Sequence, residues 1–232
     1  MMRFKDVFSI IGPSMIGPSS SHTAGAVRIG KVARKLIGAL PTRADIYLYG
    51  SFAQTYQGHG TDLALVGGLL DFNTDDVRIR DSLSIAKLAA MEVMFHPMTG
   101  ALPNVHPNTA KLVLQANNAS YELVGCSIGG GNIEIVSVNQ FNIKFTAIYP
   151  TLLIFHEDRT GMIALMTNIL RQSNINIGYM TVERQARSGK VLTVIEIDEA
   201  NIDAIIDHLR GIPYVDAVHF IHLQEGEAEG EN

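Results

Sequence analysis

The chain has 232 residues, of which 47% are hydrophobic and 18% charged, a balance typical of a globular protein with one large or two modest domains. Its formal net charge of -5 does not favour non-specific binding to nucleic acid. Cys126 is the single cysteine, so the chain forms no internal disulfide and cannot alone ligate an iron–sulfur cluster or a structural zinc ion, which need several ligands.

The sequence also lacks the signals of membrane insertion and secretion. No apolar run reaches the length of a membrane span, and the first residues lack the apolar core and cleavage site of a signal peptide. We therefore expect a cytoplasmic protein with no membrane partner. The glutamate-rich residues 226–232 predict a solvated acidic tail.

The first half of the chain mixes helical and strand patterns. Residues 44–50 and 61–70 are typical of a strand and of a helix that begins at the capping pair Thr61 and Asp62. Three- to four-residue apolar spacing predicts further helices over 4–11, over 23–40 with Ser21 or Thr23 as cap, from Ser51 onward, and over 81–92.

Strands dominate the middle of the chain. Residues 110–116 and 120–128 flank Asn117 and Asn118, a hairpin turn because asparagine tolerates positive φ. Residues 132–138 alternate as a further strand.

After about residue 145 the pattern becomes β-α-β-β-α-β, the ferredoxin-like order. We therefore predict an α+β protein: a mixed α/β domain over 1–146, a ferredoxin-like domain over 147–225, and the tail over 226–232.

Three glycine-bracketed loops of the first domain are candidates for chemistry. In "GPSSSHTAG" (17–25), His22 and its neighbouring hydroxyls precede a predicted helix, whose N-terminal N–H groups and dipole favour a carboxylate or a phosphate. The alternative is a capping loop with an exposed histidine.

The second loop, "GHGTD" (58–62), places His59 between two glycines that let a ligand approach the backbone. A histidine titrates near neutral pH and can act as a general base. The alternative is a tight turn with an exposed histidine, and Asp62 either orients His59 or caps the following helix.

The third loop, "CSIGGG" (126–131), joins Ser127 to a glycine-rich turn that could bind an anion, or that merely ends a strand. "HPNT" (106–109) is a polar turn before a strand. No spacing of histidine, cysteine and aspartate completes a metal site in the sequence.

In the predicted ferredoxin-like domain, Glu157, Asp158 and Gly161 follow the first strand, and Asn176 opens the second. We expect these two loops to face each other at one edge and to bind a ligand there. The alternative is that both are ordinary turns.

Taken in order, "GPSSSHTAG", "YGS", "GHGTD", "HPN" and "SIGGG" closely resemble the beta chains of iron–sulfur-dependent L-serine dehydratases. The resemblance spans essentially the whole chain, and its C-terminal part resembles an ACT domain, an amino-acid-sensing module. The N-terminal part resembles the allosteric substrate-binding fold of some phosphoglycerate dehydrogenases.

The resemblance implies a function and a partner. Family members convert L-serine to pyruvate and ammonia with a [4Fe-4S] cluster, which two-chain members carry on a separate alpha chain. The lone Cys126 agrees with that division, so a metal ligand is not expected in this chain. Self-association through the ACT domain is also expected.

The resemblance further implies site residues. His59 is the expected base for the α-proton of serine, with His22 second. The expected substrate-binding residues are Ser19, Ser20, Ser21, Thr23, His106, Asn108 and Ser127. The sequence here is His-Pro-Asn-Thr where single-chain relatives often have His-Glu-Asn-Gly.

Three other functions are compatible with parts of the sequence. A purely regulatory serine-sensing subunit would tolerate changes at His22 and His59. A hydrolytic enzyme using Ser21 and His22 would be active alone, without iron, although no acid orients that pair. A free-standing ACT-type sensor would leave "GHGTD" and "SIGGG" without a role.

Overall fold

Two β-sheets organise the chain, one of five strands and one of four. The structure is a computed structural model that describes residues 14–100 and 106–223. The helix predicted over 4–11 and the predicted acidic tail lie outside the described residues.

The N-terminal unit contains the five-stranded sheet and the helices around it. In chain order its elements are a π-helical turn (Ser20–Ala24), α1 (Gly25–Ile37), β1 (Arg43–Tyr49), α2 (Gly50–Thr55), α3 (Thr61–Leu69), a 3-10 helix (Val77–Asp81), α4 (Ser82–Leu88), β2 (Glu92–Pro97), β3 (Thr109–Ala116), β4 (Ala119–Gly129) and β5 (Asn132–Val138). The strand order is β2-β1-β3-β4-β5, with β1 and β2 parallel and the other pairs antiparallel.

Side chains along β1 alternate between a buried and a more exposed face of the sheet. Ala44, Ile46 and Leu48 are fully buried and belong to one core with the apolar side of α1, whereas Asp45 and Tyr47 point to the opposite face. Burial of this apolar stripe holds α1 on the sheet.

Helices α1 and α3 run side by side in the same direction. A methyl group on Gly30 would lie 3.0 Å from the Gly68 Cα, so only glycines permit this close contact. Nearer the start of each helix, the Thr23 hydroxyl lies 3.4 Å from the His59 carbonyl oxygen. The N-termini of both helices, which are the positive ends of their dipoles, therefore meet at one end of the unit.

Four details of the N-terminal unit differ from the sequence-based predictions. Helix α1 ends at Ile37 rather than at residue 40, because Gly38 forms a left-handed C-cap with φ of 70°. Helix α4 ends at Leu88 because the chain turns at Ala90, whose φ is 57°, and the edge strand β2 begins at Glu92, the last residue of the expected helix. The first cap is Ser19, not Ser21 or Thr23, because its side chain accepts the N–H of His22. Gly60, in the left-handed conformation, occupies the N-cap of α3.

The predicted hairpin is confirmed. Asn117 and Asn118 have φ values of 49° and 62°, the two positive values that a type I′ turn requires. They join β3 to β4 with the register Ala116↔Ala119.

The C-terminal unit has the predicted β-α-β-β-α-β order. Its elements are β6 (Thr151–Glu157), α5 (Met162–Gln172), β7 (Ile177–Arg184), β8 (Lys190–Ile197), α6 (Asp203–Arg210) and β9 (Val215–Ile221). The sheet is antiparallel with the order β7-β8-β6-β9. This ferredoxin-like unit beside the mixed α/β unit confirms the predicted α+β class.

The two faces of the second sheet have different neighbours. Helices α5 and α6 cover one face, where Met166 and Leu209 pack with Leu152 and Ile195. The other face packs against the core of the N-terminal unit through four buried side chains: Leu153, Leu192, Val194 and Ile221. The two sheets therefore share one continuous apolar core.

Candidate functional site

Two histidines meet where α1 and α3 begin. The rings of His22 and His59 are 4.8 Å apart, centroid to centroid, and tilted by 40°. His22 belongs to the π-helical turn that leads into α1, and His59 comes two residues before α3. The structure therefore brings together the two histidines that the sequence singled out separately.

The serine-rich loop is shaped around His22 by its own hydrogen bonds. The backbone N–H of His22 donates to the Ser19 hydroxyl at 3.2 Å, and the N–H of Thr23 donates to the Ser19 carbonyl at 2.8 Å. The Ser19 hydroxyl also lies 3.3 Å from Nδ1 of His22. Gly17, with φ of 125°, lies so close to Thr23 that a side chain there would collide with it. Ser20 and Ser21 are half-buried in the same turn.

Ser51, at the start of α2, contacts His22 from the other side. Its hydroxyl lies 3.0 Å from Nε2 of His22, and the neighbouring Phe52 ring meets the imidazole edge-on at 5.4 Å. Sequence analysis missed Ser51 as a site residue. The tripeptide "YGS" marks the end of β1, but nothing local shows that its serine faces a histidine 29 residues earlier.

Burial lowers the pKa of His22, and repulsion between His22 and the positive charge of a protonated His59 lowers it further by a smaller amount. Both effects disfavour a charged His22. The ring nitrogens of His59 have no hydrogen-bond partner within residues 14–100 and 106–223, so they are open to a ligand.

Two hydroxyls near the helix N-termini are buried without a partner. Ser127 is fully buried against Gly25, where even a methyl group would lie 2.2 Å from its Oγ. Thr61, the first residue of α3, is also fully buried. Within the described residues neither hydroxyl has a hydrogen-bond partner. A buried hydroxyl without a partner costs about 1–3 kcal/mol of stability, and a water or a ligand that hydrogen-bonds it would recover that energy.

The turn before β3 is joined to this cluster through its backbone. The carbonyl of Pro107 accepts the N–H of Ser51 at 3.0 Å, and the carbonyl of Asn108 accepts the N–H of Ser127 at 2.9 Å. Asn108 is buried, whereas His106 is exposed and its Nδ1 accepts the N–H of Asn108 at 3.2 Å. Both residues therefore border the site rather than contact the two histidines.

Asp62 interacts with the helix backbone. Its Oδ1 accepts the N–H of Leu63 at 2.9 Å, and burial raises the pKa of its carboxyl group. This geometry favours the helix-end role over the alternative in which Asp62 orients His59.

The expectation that the two candidate loops of the C-terminal unit face each other is wrong. Glu157 pairs with Lys190 at one end of the sheet, whereas Asn176 precedes Ile177, which pairs with Ile197 at the other end. Helix α5 carries the chain back along the sheet, so the loops before and after it lie at opposite ends.

The polar groups of those loops are engaged locally. Glu157 pairs with Arg159, and the Asp158 carboxylate accepts the N–H of Ser188 and bonds Arg184. Gly161, with φ of 91°, is the N-cap of α5, and the side-chain amide of Asn176 donates to the Asp198 carboxylate at 2.8 Å.

The described residues do not fit an iron–sulfur cluster. Cys126 is buried, with its Sγ 3.2 Å from the hydroxyl of Thr109. No group of three or more histidine, cysteine or acidic side chains within 14–100 and 106–223 could hold a metal ion. In the same residues, no helix is both long and apolar enough to cross a membrane.

Comparison with known proteins identifies the family. Residues 4–137 match the family model described as serine dehydratase beta chain. The chain belongs to the serine dehydratase beta-chain family. It is 47% identical to the probable L-serine dehydratase, beta chain, of Bacillus subtilis (strain 168), an alignment that covers 92% of this chain and 96% of the relative.

A second relative extends the same finding. The L-serine dehydratase, beta chain, of Peptoniphilus asaccharolyticus is 36% identical over 93% of this chain and 97% of its own length. The resemblance inferred from the motifs is therefore confirmed. Among solved structures, the ACT domain of the GTP pyrophosphokinase of Chlorobium tepidum matches 31% of this chain and 96% of its own, with 24% identity and a TM-score of 0.27.

Proposed function

We propose that this chain is the catalytic beta subunit of an L-serine ammonia-lyase, which converts L-serine to pyruvate and ammonia. Its relatives are named beta chains of L-serine dehydratase. The described residues offer no set of iron ligands. The proposal therefore places the [4Fe-4S] cluster on a separate alpha chain, and the present chain completes the active site with its own side chains.

The observation that carries this proposal is the histidine pair at the joined N-termini of α1 and α3. Two parallel helix N-termini favour an anion at that point. A general base is also present there. A substrate with a carboxylate next to the carbon that loses a proton, as in L-serine, suits this combination.

Within this site, His59 is the proposed base. Its ring nitrogens are open among the described residues, whereas both nitrogens of His22 face serine hydroxyls. His59 takes the proton from the α-carbon of serine and the C–O bond to the β-hydroxyl breaks, so that a proton and a hydroxide are lost overall as water and an enamine remains. The enamine tautomerises to an imine, which one water molecule hydrolyses to pyruvate and ammonia. His22, kept neutral by burial, adds no charge that would weaken His59 as a base.

The proposed carboxylate site consists of the serine-rich turn and the buried hydroxyl of β4. Its hydroxyl donors are Ser20, Ser21 and Ser127. Ser19 and Thr23 shape the site through their bonds to His22 and to the His59 carbonyl. The unpartnered hydroxyl of Ser127 is the donor most suited to a ligand, since no protein group competes for it within the described residues. His106 and Asn108 border this site from the start of β3.

The C-terminal unit is proposed to act as a regulatory and assembly module. Glu157, Asp158 and Gly161 remain candidates for an effector site at one end of its sheet, and Asn176 is a separate candidate at the other. Strand β7 lies at the edge of the sheet and exposes Tyr179, Met180 and Val182, which agrees with self-association there. A cytoplasmic location remains part of the proposal.

The test is anaerobic pyruvate formation from L-serine by this chain, by its iron-loaded alpha chain, and by the two mixed. We expect activity only in the mixture. Full activity of the alpha chain alone would instead support the purely regulatory alternative. Activity of this chain alone, without iron, would support a self-contained hydrolytic or lyase site and contradict the proposal.

A further inference from the structure

The two ring nitrogens of His22 face two different serine hydroxyls. Nδ1 lies 3.3 Å from Ser19 Oγ and Nε2 lies 3.0 Å from Ser51 Oγ. A neutral imidazole has one N–H donor and one acceptor nitrogen. The two hydroxyls must therefore have opposite roles, and their hydrogen bonds decide which tautomer His22 adopts.

The role of Ser19 follows from its second contact. Its oxygen already accepts the backbone N–H of His22 at 3.2 Å, which leaves its hydrogen to be donated. Nδ1 of His22 is the acceptor that the described residues offer to that hydrogen. In the opposite tautomer Ser19 would accept two N–H groups at once. Each tautomer leaves the hydrogen of one serine hydroxyl without an acceptor among the described residues. Only the Nε2–H tautomer links the bonds into a chain in which Ser19 accepts one hydrogen and donates its own, and hydrogen bonds in such a chain strengthen one another. This cooperativity favours Nδ1 as the acceptor, with the hydrogen on Nε2.

Ser51 is held in place independently of His22. Its N–H donates to the Pro107 carbonyl at 3.0 Å, and its carbonyl accepts the hydroxyl of Thr55 at 2.8 Å. Gly50, with φ of 54°, lies so close to Pro107 that a Cβ there would be 2.5 Å from the Pro107 carbonyl oxygen. A tightly packed backbone thus presents the hydroxyl of Ser51 to His22.

We propose that Ser51 is a positioning residue, whose hydroxyl accepts the Nε2–H of His22 and fixes that histidine as a single tautomer with its ring against His59. The ring nitrogens of His59 have no hydrogen-bond partner within residues 14–100 and 106–223, and its ring contacts that of His22 at 4.8 Å between centroids. The catalytic consequence rests on the proposed function, in which His59 receives the proton. The tautomer of His22 does not depend on the proposed function.

The first test is nitrogen-15 NMR of the full chain with labelled histidine. The His22 signals are assigned by their loss in His22→Gln. We expect one Nε2–H tautomer in the wild type and in Ser51→Thr, which keeps the hydroxyl, and a mixture of tautomers in Ser51→Ala. Ser84→Ala, at an exposed serine of α4, is the matched control and should leave the signals unchanged. An Nδ1–H tautomer in the wild type would overturn the proposal, even if the alanine variant failed to fold.

The second test uses steady-state kinetics of the assembled enzyme. Loss of one positioning hydrogen bond should lower kcat about tenfold. KM should stay within about twofold, because Ser51 is not a proposed ligand of serine, and Ser51→Thr should restore most of kcat. An unchanged kcat in Ser51→Ala would refute the positioning role. Normal turnover in His59→Ala would refute the proposed function instead. The NMR measurement would still test the His22 tautomer independently of that result.

Discussion

A buried histidine of the C-terminal unit is fully hydrogen-bonded by its own chain, whereas two buried hydroxyls of the N-terminal unit are not. In the C-terminal unit, His156 donates from Nδ1 to the Glu157 carbonyl at 2.8 Å and accepts at Nε2 from Thr193, also at 2.8 Å. In the N-terminal unit, the buried hydroxyls of Ser127 and Thr61 have no partner among the described residues, and the nearby His59 ring is open. His156 is therefore part of the folded framework, whereas Ser127 and His59 have hydrogen-bonding groups that the described residues leave unused.

This difference teaches how a histidine can be assigned a role. The sequence has eight histidines, and their hydrogen bonds in the structure distinguish those that have partners in their own chain from those that do not. A buried histidine with both nitrogens bonded by its own chain contributes to stability. A histidine beside unpartnered donors and helix N-termini is placed for binding and proton transfer.

The largest expected effect on stability concerns the contact between the two units. His219 lies edge-on to Tyr121 and Phe155, and burial, followed by the charge of Arg210, lowers its pKa to about 4. Above pH 6.5, the unfolded value, the imidazole is neutral in both states and does not affect folding. As the pH falls from 6.5 towards 4, the unfolded chain takes up a proton that the folded chain does not, so the fold loses stability. The loss over that window is about 3 kcal/mol, since one pKa unit is worth roughly 1.4 kcal/mol.

Urea unfolding of the wild type and His219→Phe between pH 7.5 and 4.5 measures this contribution. The variant should lose less stability on acidification, whereas His208→Gln, at an exposed histidine of α6, should behave as the wild type. Equal pH slopes in all three proteins would show that His219 is not held neutral between the units.

A smaller effect on stability is expected from buried hydroxyls, and it should differ between one with a hydrogen-bond partner and one without. Thr193 and Ser127 are both fully buried, but only Thr193 has a partner among the described residues. Thr193→Val should lower the free energy of unfolding by about 1–2 kcal/mol, because it leaves Nε2 of His156 unpaired.

Ser127→Ala is the comparison variant. It should be neutral or stabilising by up to about 1 kcal/mol, because it removes an unsatisfied group, and it should raise KM for serine. Thermal unfolding and steady-state kinetics check both. If Ser127→Ala instead lost marked stability and kept its KM, Ser127 would stabilise the fold, as Thr193 does, and would not bind the substrate.

The smallest expected effect lies at the end of β6. The N–H of Ser188, followed by Arg184, lowers the pKa of the Asp158 carboxyl. A lowered carboxyl pKa stabilises the fold above pH 3.8, the unfolded value, and this contribution is lost as the pH falls through the folded value. Asp158→Asn should therefore show a slightly flatter loss of stability below pH 4, measured by acid titration of the folded signal. Asp75→Asn, at an exposed site, should match the wild type.

Local patterns predicted much of the fold. The Asn117-Asn118 turn and the alternating strands depend on neighbouring residues, so their bounds agree with the structure within one or two residues. Strand β2 was missed because it is a short edge strand whose pairing with β1 comes from a distant segment. The end of α4 was misplaced because Ala90 turns the chain with positive φ, where a glycine would have been a recognisable signal.

The candidate site shows the same limit. His22, His59 and Ser127 carry recognisable chemistry, so the motifs singled them out, and the fold brings His22 and His59 together. Ser51 and Thr61 are ordinary residues at helix starts, and their relevance depends on packing between elements far apart in sequence. Asn176 lies at the other end of the sheet from Glu157 because α5 runs back along the whole sheet, a relation between elements that the local residue pattern does not contain.

The most direct test of the catalytic proposal is His59→Ala in the mixture with the alpha chain, measured as pyruvate formation at saturating L-serine. His208→Ala is the matched control because His208 is exposed on α6, in the other unit. General bases contribute about 10²–10⁴-fold, so His59→Ala should lose at least about 100-fold in kcat while still assembling with the alpha chain. Near-normal turnover of His59→Ala would contradict the account and leave this chain a regulatory subunit.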